Sequence, residues 1–294
     1  MQFLHLAAEI LTAEPQIIPA KPKHQPASVP KDFDLNLKSC WFVDPVKWPP
    51  PHLAHDKRYR WNGFSTNWVS YDGRKEHAFT GVIVHPNLAR TKIHITWQGV
   101  EPSLTAKDEQ SHYPPPQNLS GKDLEKCRKL YNEKIAKWCE KQLGTQVGNG
   151  ECWTLANEAL KETAKDCKKH GKEECMACIG FVHGSLIYEN KFGIGEHPHG
   201  GVEEAGVARG DILQFYDCKF EGPHGWKFAG SPDHTAVIRE VAQDGRLTVL
   251  EQNNGQDRIV REGHYILGEL VKGEVRVFRP VGVGWMGDLS PCWP

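Results

Sequence analysis

The order of periodicities after Ser120 constrains this chain most. Two stretches with helical spacing come first, and the segments beyond about residue 210 are short, β-branched and aromatic. Leu124, Cys127, Tyr131, Ile135, Trp138 and Leu143 recur at helical spacing, predicting an amphipathic helix over 121–143. Ser120 and Asp123 form a capping box before it, and Gly144 stops it. A second helix is predicted over 151–169, where Cys152, Leu155, Ala156, Ala159, Leu160, Thr163, Ala164 and Cys167 share a face. It closes on KKHG, basic residues and then glycine. A third helix or turn is expected around 173–187. After a glycine-rich loop over 193–210, DILQFYDCKF, HTAVIREV, RLTVLEQN and EVRVFRP read as strands. Helices followed by antiparallel strands predict an α+β domain over 118–294.

Upstream, SCWFV, RYRW, NWVSY, FTGVIVH and TKIHITW read as strands of a small β-rich module over 36–100, with HPNLAR as a hairpin turn. Its tryptophans fit core and platform positions better than a sugar-binding strip. Residues 1–14 suit a short amphipathic helix. Residues 15–35 are a proline-rich linker, whose extended form suits an SH3-type groove, although such spacers often have no partner. Residues 101–119 read as a second proline-rich connector. In 294 residues, 36 Lys and Arg balance 37 Asp and Glu, which argues against a nucleic-acid partner. No apolar run approaches the roughly 20 residues that span a bilayer. The nine cysteines are scattered, as expected of reduced cytoplasmic thiols rather than a disulfide framework. The first residues lack a basic stretch, so a secretory signal is not favoured.

The chemistry concentrates in GTQVGNGECWTLANEAL, Gly144 to Leu160. Asn149 or Gly150 is a natural N-cap, which puts Cys152 in the first helical turn. Free amides and the helix dipole stabilise an anion there, and the thiolate is the nucleophilic form of cysteine. Glu151 opposes this unless it points away. A lone cysteine at a helix start is more often a small core residue, so partners decide the matter. His234 starts a strand, and the return strand of its hairpin ends at Glu251, Gln252 and Asn253. Strand alternation puts Glu251 and Asn253 on one face, where either is placed to accept the imidazole N–H. Gln146, six residues before Cys152, is placed to steady an oxyanion together with the Cys152 backbone N–H.

Other features read more plainly. Asp233 reads as a turn residue rather than one that tunes His234, and Asp211 as a turn-and-strand-start residue rather than a catalyst. EECMAC holds one CxxC, Cys175 and Cys178, and a metal would need two further ligands from His170, His183, His197 or His199. No metal or other cofactor is expected. HPHGG at 197–201 reads as a solvated loop.

The run Gln146…Cys152-Trp153, followed by His234 and a polar residue at a strand end, resembles the papain superfamily. The helix start, GDILQF, strand-initial histidine and Glu-x-Asn resemble the CHAP amidohydrolase/peptidases more closely. GNGECWTLA, GDILQF, PDHTAV, VLEQN and VKGEVRVFRP together look most like the cysteine-proteinase-fold domain of fungal, SH3-containing, myosin-tail-interacting proteins of cortical actin patches. No SH3 signature is present here. The resemblance implies a papain-like fold. Two functions follow from it as expectations. One is a thiol hydrolase cutting amide or isopeptide bonds in a peptide or protein substrate. The other is a catalytically silent, protein-binding module among actin-patch or myosin-associated proteins, in the cytoplasm at the cortical patch.

Overall fold

The computed structural model describes residues 30–44, 53, 58–69, 72–192, 201–223, 225–255 and 257–289. The expected helix over 1–14, most of the linker over 15–35, and His197 and His199 lie outside them.

Two antiparallel sheets organise the described residues. In the first, β1 (Arg60–Val69), β2 (Lys75–Val84), β3 (Arg90–Gln98) and β4 (Lys107–Tyr113) pair in chain order. Leu35, Trp41, Phe42, Phe79, Ile83, Ile93 and Ile95 form its core. The β2–β3 turn forms over HPNLAR, with Leu88 N–H donating to His85 O at 2.8 Å. Three expectations change. SCWFV is not a strand: Leu37–Ser39 and Trp41–Val43 are single 3-10 turns, because Asn36 and Cys40 take positive φ and drive Trp41 and Phe42 inward. RYRW and NWVSY merge into β1. The connector over 101–119 contains a one-turn helix, α1 (Pro102–Thr105), and the edge strand β4. The β4 sequence KDEQSHY lacks apolar alternation, being exposed over Lys107–Glu109 and half-buried over Gln110–Tyr113, so its pairing rests on backbone hydrogen bonds. The end of the predicted linker docks on β4, where Phe33 and the Gln110 amide exchange hydrogen bonds at 2.9 Å.

The second sheet has the order β5-β10-β6-β7-β8-β9, antiparallel throughout. Its strands are β5 (Ser185–Lys191), β6 (Ile212–Gly222), β7 (Gly225–Val241), β8 (Arg246–Glu251), β9 (Arg261–Ile266) and β10 (Leu270–Arg279). Residues 173–184 form no helix; the chain instead enters β5. The helix expected over 121–143 consists of α2 (Gly121–Cys127), a π turn (Arg128–Asn132) and α3 (Glu133–Glu140). Ser120 caps it, accepting from Asp123 N–H at 3.2 Å.

Helix α4 (Cys152–Lys169) buries Leu155, Ala156, Ala159, Leu160 and Cys167 against Ile212, Val237 and Leu250. Their strand neighbours Leu213, Ala236, Ile238 and Val249 fill the opposite face, as a period of two requires. Each such aliphatic side chain contributes about 1.5–3 kcal/mol of burial. Asp211 is a buried strut: it pairs with Arg279 and accepts from Asn132 Nδ2 at 2.8 Å, tying the helices to the sheet. Val82, Val84 and Leu88 pack with Met176, Val182, Phe278 and Val281, so the two sheets share a hydrophobic seam.

Candidate active site

The loop before α4 turns on glycine. Gly150 has φ +81°, and a Cβ there would lie 2.6 Å from the Cβ of Arg258. Glu151 is then extended and occupies the cap position, so Cys152 is the first helical residue. The cap expected at Asn149 or Gly150 moves forward because Gly150 is left-handed. Asn149 braces the loop instead, its Oδ1 accepting from Glu151 N–H at 3.1 Å and Thr154 Oγ1 at 2.6 Å. Glu151 makes no side-chain cap. Its carboxylate pairs with Arg258 at 3.2 Å and accepts from Asn253 Nδ2 at 2.7 Å. The acidic side chain is thereby engaged away from the first-turn amides, which remain available to an anion.

His234 reaches this helix end from β7. Ala236 pairs with Glu251 across the β7–β8 ladder, so His234 is the diagonal neighbour of Glu251. His234 Nε2 lies 2.9 Å from Glu251 Oε2. The Cys152 thiol, at the start of α4, acts electrostatically on the same imidazole. The three residues are 8%, 3% and 5% exposed for Cys152, His234 and Glu251. Burial disfavours the imidazolium, but Cys152 and Glu251 outweigh it and push His234 up to about 9. Burial raises Glu251, but the His234 contact prevails and its carboxyl is held below the usual range. A buried thiol, imidazole and carboxylate contributed by α4, β7 and β8 are the residue types that nucleophilic thiol chemistry uses.

The other candidates are placed differently. Asn253 does not meet His234. Strand β8 ends at Glu251 and Asn253 takes φ +58°, so alternation no longer applies and its amide goes to Glu151. Gln252 is a buried staple: its amide donates to Glu151 O at 2.7 Å and Val147 O at 3.1 Å, and accepts from Val147 N–H at 3.2 Å. Gln146 stands on the same loop, with its amide donating to Gly148 O at 3.2 Å.

A second thiol–imidazole chain escaped the sequence reading, which weighed EECMAC for a metal. Cys178 Sγ lies 2.9 Å from His183 Nδ1, and His183 Nε2 lies 2.9 Å from Gln214 Oε1. Thr235 Oγ1 donates to that same oxygen at 2.8 Å, so His183 Nε2 carries the proton and Nδ1 accepts from the thiol. This chain too is consistent with a thiol-hydrolase fold. Its electrostatics are opposite: burial raises Cys178 and lowers His183 to about 4, so both stay neutral near pH 7. The five-residue spacing of Cys178 and His183 was the available signal. Among the described residues no group of three or more His, Cys, Asp or Glu is arranged to hold a metal. No described helix is long and apolar enough to cross a membrane. A cavity of about 600 Å³, bounded by Leu88, Pro115, Leu186, Phe278 and Trp285, includes neither thiol.

Comparison with known proteins agrees with this architecture. The chain is 29% identical over 272 residues to Altered inheritance of mitochondria protein 3 of Debaryomyces hansenii, covering 89% of this chain and 28% of that protein. It is 26% identical over 213 residues to SH3 domain-containing protein C23A1.17 of Schizosaccharomyces pombe, covering 70% of this chain and 12% of that one. It thus corresponds to a minor part of each relative's length. The crystal structure of Ly7917 superposes with a TM-score of 0.27 at 18% identity, over 50% of this chain and 62% of that one, too loosely to bear on fold or function. Residues 109–290 match the AIM3/BBC1 cysteine proteinase-fold domain, and the chain belongs to that family.

Proposed function

We propose that this chain is a thiol hydrolase acting on amide or isopeptide bonds of a peptide or protein. The observation that carries the reading is the line Cys152–His234–Glu251 at the start of α4. The Cys152 thiolate attacks the carbonyl carbon. The Cys152 backbone N–H and the Gln146 amide steady the oxyanion, the latter after leaving Gly148 O. The His234 imidazolium gives its proton to the departing amine, and a thioester forms. Water, deprotonated by His234, then attacks the thioester, releasing the acid and returning the proton to the couple. Glu251 holds the ring and its charge throughout. Cys178 is the less suitable nucleophile, because its imidazole faces an amide oxygen instead of a carboxylate.

A second reading is favoured by the low exposure of Cys152 and by the SH3-domain name of one relative. In it the fold serves as a protein-binding module in the cytoplasm, at the cortical actin patch. Capture by a peptide-based electrophile followed by peptide mapping separates the two. The hydrolase reading expects Cys152 as the principal site, lost in His234→Ala. Equal labelling of several cysteines, unchanged in that variant, favours the binding module.

A further inference from the structure

We propose that Tyr265 and Asn254 are positioning residues for His234, acting through Glu251, which they lock in orientation and charge. The proposal rests on the reading of Cys152 and His234 as the reacting couple.

Tyr265 Oη donates to Glu251 Oε2 at 2.8 Å, the oxygen that also receives His234 Nε2–H. Asn254 Nδ2 donates to Glu251 Oε1 at 2.7 Å and to Tyr265 Oη at 2.9 Å. The phenol oxygen therefore accepts from Asn254, and its own proton points at the carboxylate. Burial and the Glu251 charge push the Tyr265 phenol up, so it stays a donor. A carboxylate with three donors on two oxygens cannot rotate without losing a bond, and each donor favours its charged form. The surrounding charges complete the picture. Glu251 faces His234 and Lys227 from β7, Tyr265 from β9 and Asn254 from the turn after β8. Lys227 Nζ stands 3.7 Å over the Tyr265 ring; burial lowers it, and Glu251 acts against that. His234 faces Cys152 from α4 and the Phe215 ring from β6, whose centroid is 5.9 Å away.

The test follows the His234 Cε1–H resonance through a pH titration of the full chain, alongside iodoacetamide labelling of Cys152 at pH 6. Tyr265→Phe keeps the ring and removes one donor. The His234 midpoint should fall by about one pH unit and labelling by about tenfold. Asn254→Ala, at an exposed turn position, should act in the same direction and carries the test if Tyr265→Phe does not fold. Tyr188→Phe, another buried tyrosine, should move neither readout. A Tyr265→Phe or Asn254→Ala protein that folds with an unchanged midpoint and labelling rate overturns the proposal, even if it is less stable. Failure of the hydrolase reading looks different: wild type and His234→Ala label equally, while the midpoint still responds to Tyr265→Phe.

Discussion

Replacing Gly263 with alanine would put a methyl group where the Glu251 carboxylate now lies. Gly263 is on β9, and its φ is outside the left-handed region, so space is the obstacle. The new Cβ would sit 2.2 Å from Glu251 Oε1 and 2.6 Å from its Cδ. The carboxylate must swing out, losing its 2.9 Å contact with His234 and its 2.7 Å bond from Asn254. A hydrogen bond to a charged group is worth about 1.5–3 kcal/mol. Overpacking a core site costs about 1–3 kcal/mol. With partial relaxation, the expected loss is about 3–5 kcal/mol. Urea unfolding followed by tryptophan fluorescence measures it, and the His234 titration should show its midpoint falling from about 9. A loss below about 1 kcal/mol with an unchanged midpoint would refute the claim that this carboxylate is sterically fixed on the imidazole.

Three further outcomes are expected. Gly150→Ala forces a side chain into a left-handed conformation and against Arg258, so stability should fall by about 2–4 kcal/mol in urea melts and Cys152 labelling should slow. Arg279→Leu leaves the buried Asp211 unpaired and should cost about 3–5 kcal/mol, while Asp211→Asn with Arg279→Leu should recover part of it. Because the folded Glu251 carboxyl is held below its ordinary value of 4.5, its stabilisation is present above that pH and is lost as pH falls through the lowered value; Glu251→Gln should flatten the acid limb of a thermal-melt series.

Much of the architecture was legible where side chains carry a period. The face of α4 and the strands around Ile212, Val237 and Leu250 follow from spacing, because those positions bury apolar groups on one side only. Strand β4 was not legible, since KDEQSHY has no apolar period and is held by backbone pairing that composition does not report. Strand β5 was not legible either, since it begins inside the stretch, 173–187, assigned to a third helix or turn. At the site, the hairpin argument put His234 near the end of β8, and the register does pair Ala236 with Glu251. What sequence could not decide was which of Glu251, Gln252 and Asn253 meets the ring. That choice depends on where the strand ends and on one left-handed residue, Asn253. Tyr265 and Asn254 were invisible for a related reason: they meet Glu251 from the next strand and the intervening turn, and no short motif joins them.

The account stands on a charged couple between sulfur and ring. Competitive alkylation of Cys152 by iodoacetate and iodoacetamide at pH 6 reads it directly, because an adjacent imidazolium attracts the anionic reagent. The wild-type protein should favour iodoacetate at Cys152 relative to a free thiol, and His234→Ala should abolish the preference and slow both reactions. Identical selectivity and rate in the two proteins would contradict the couple.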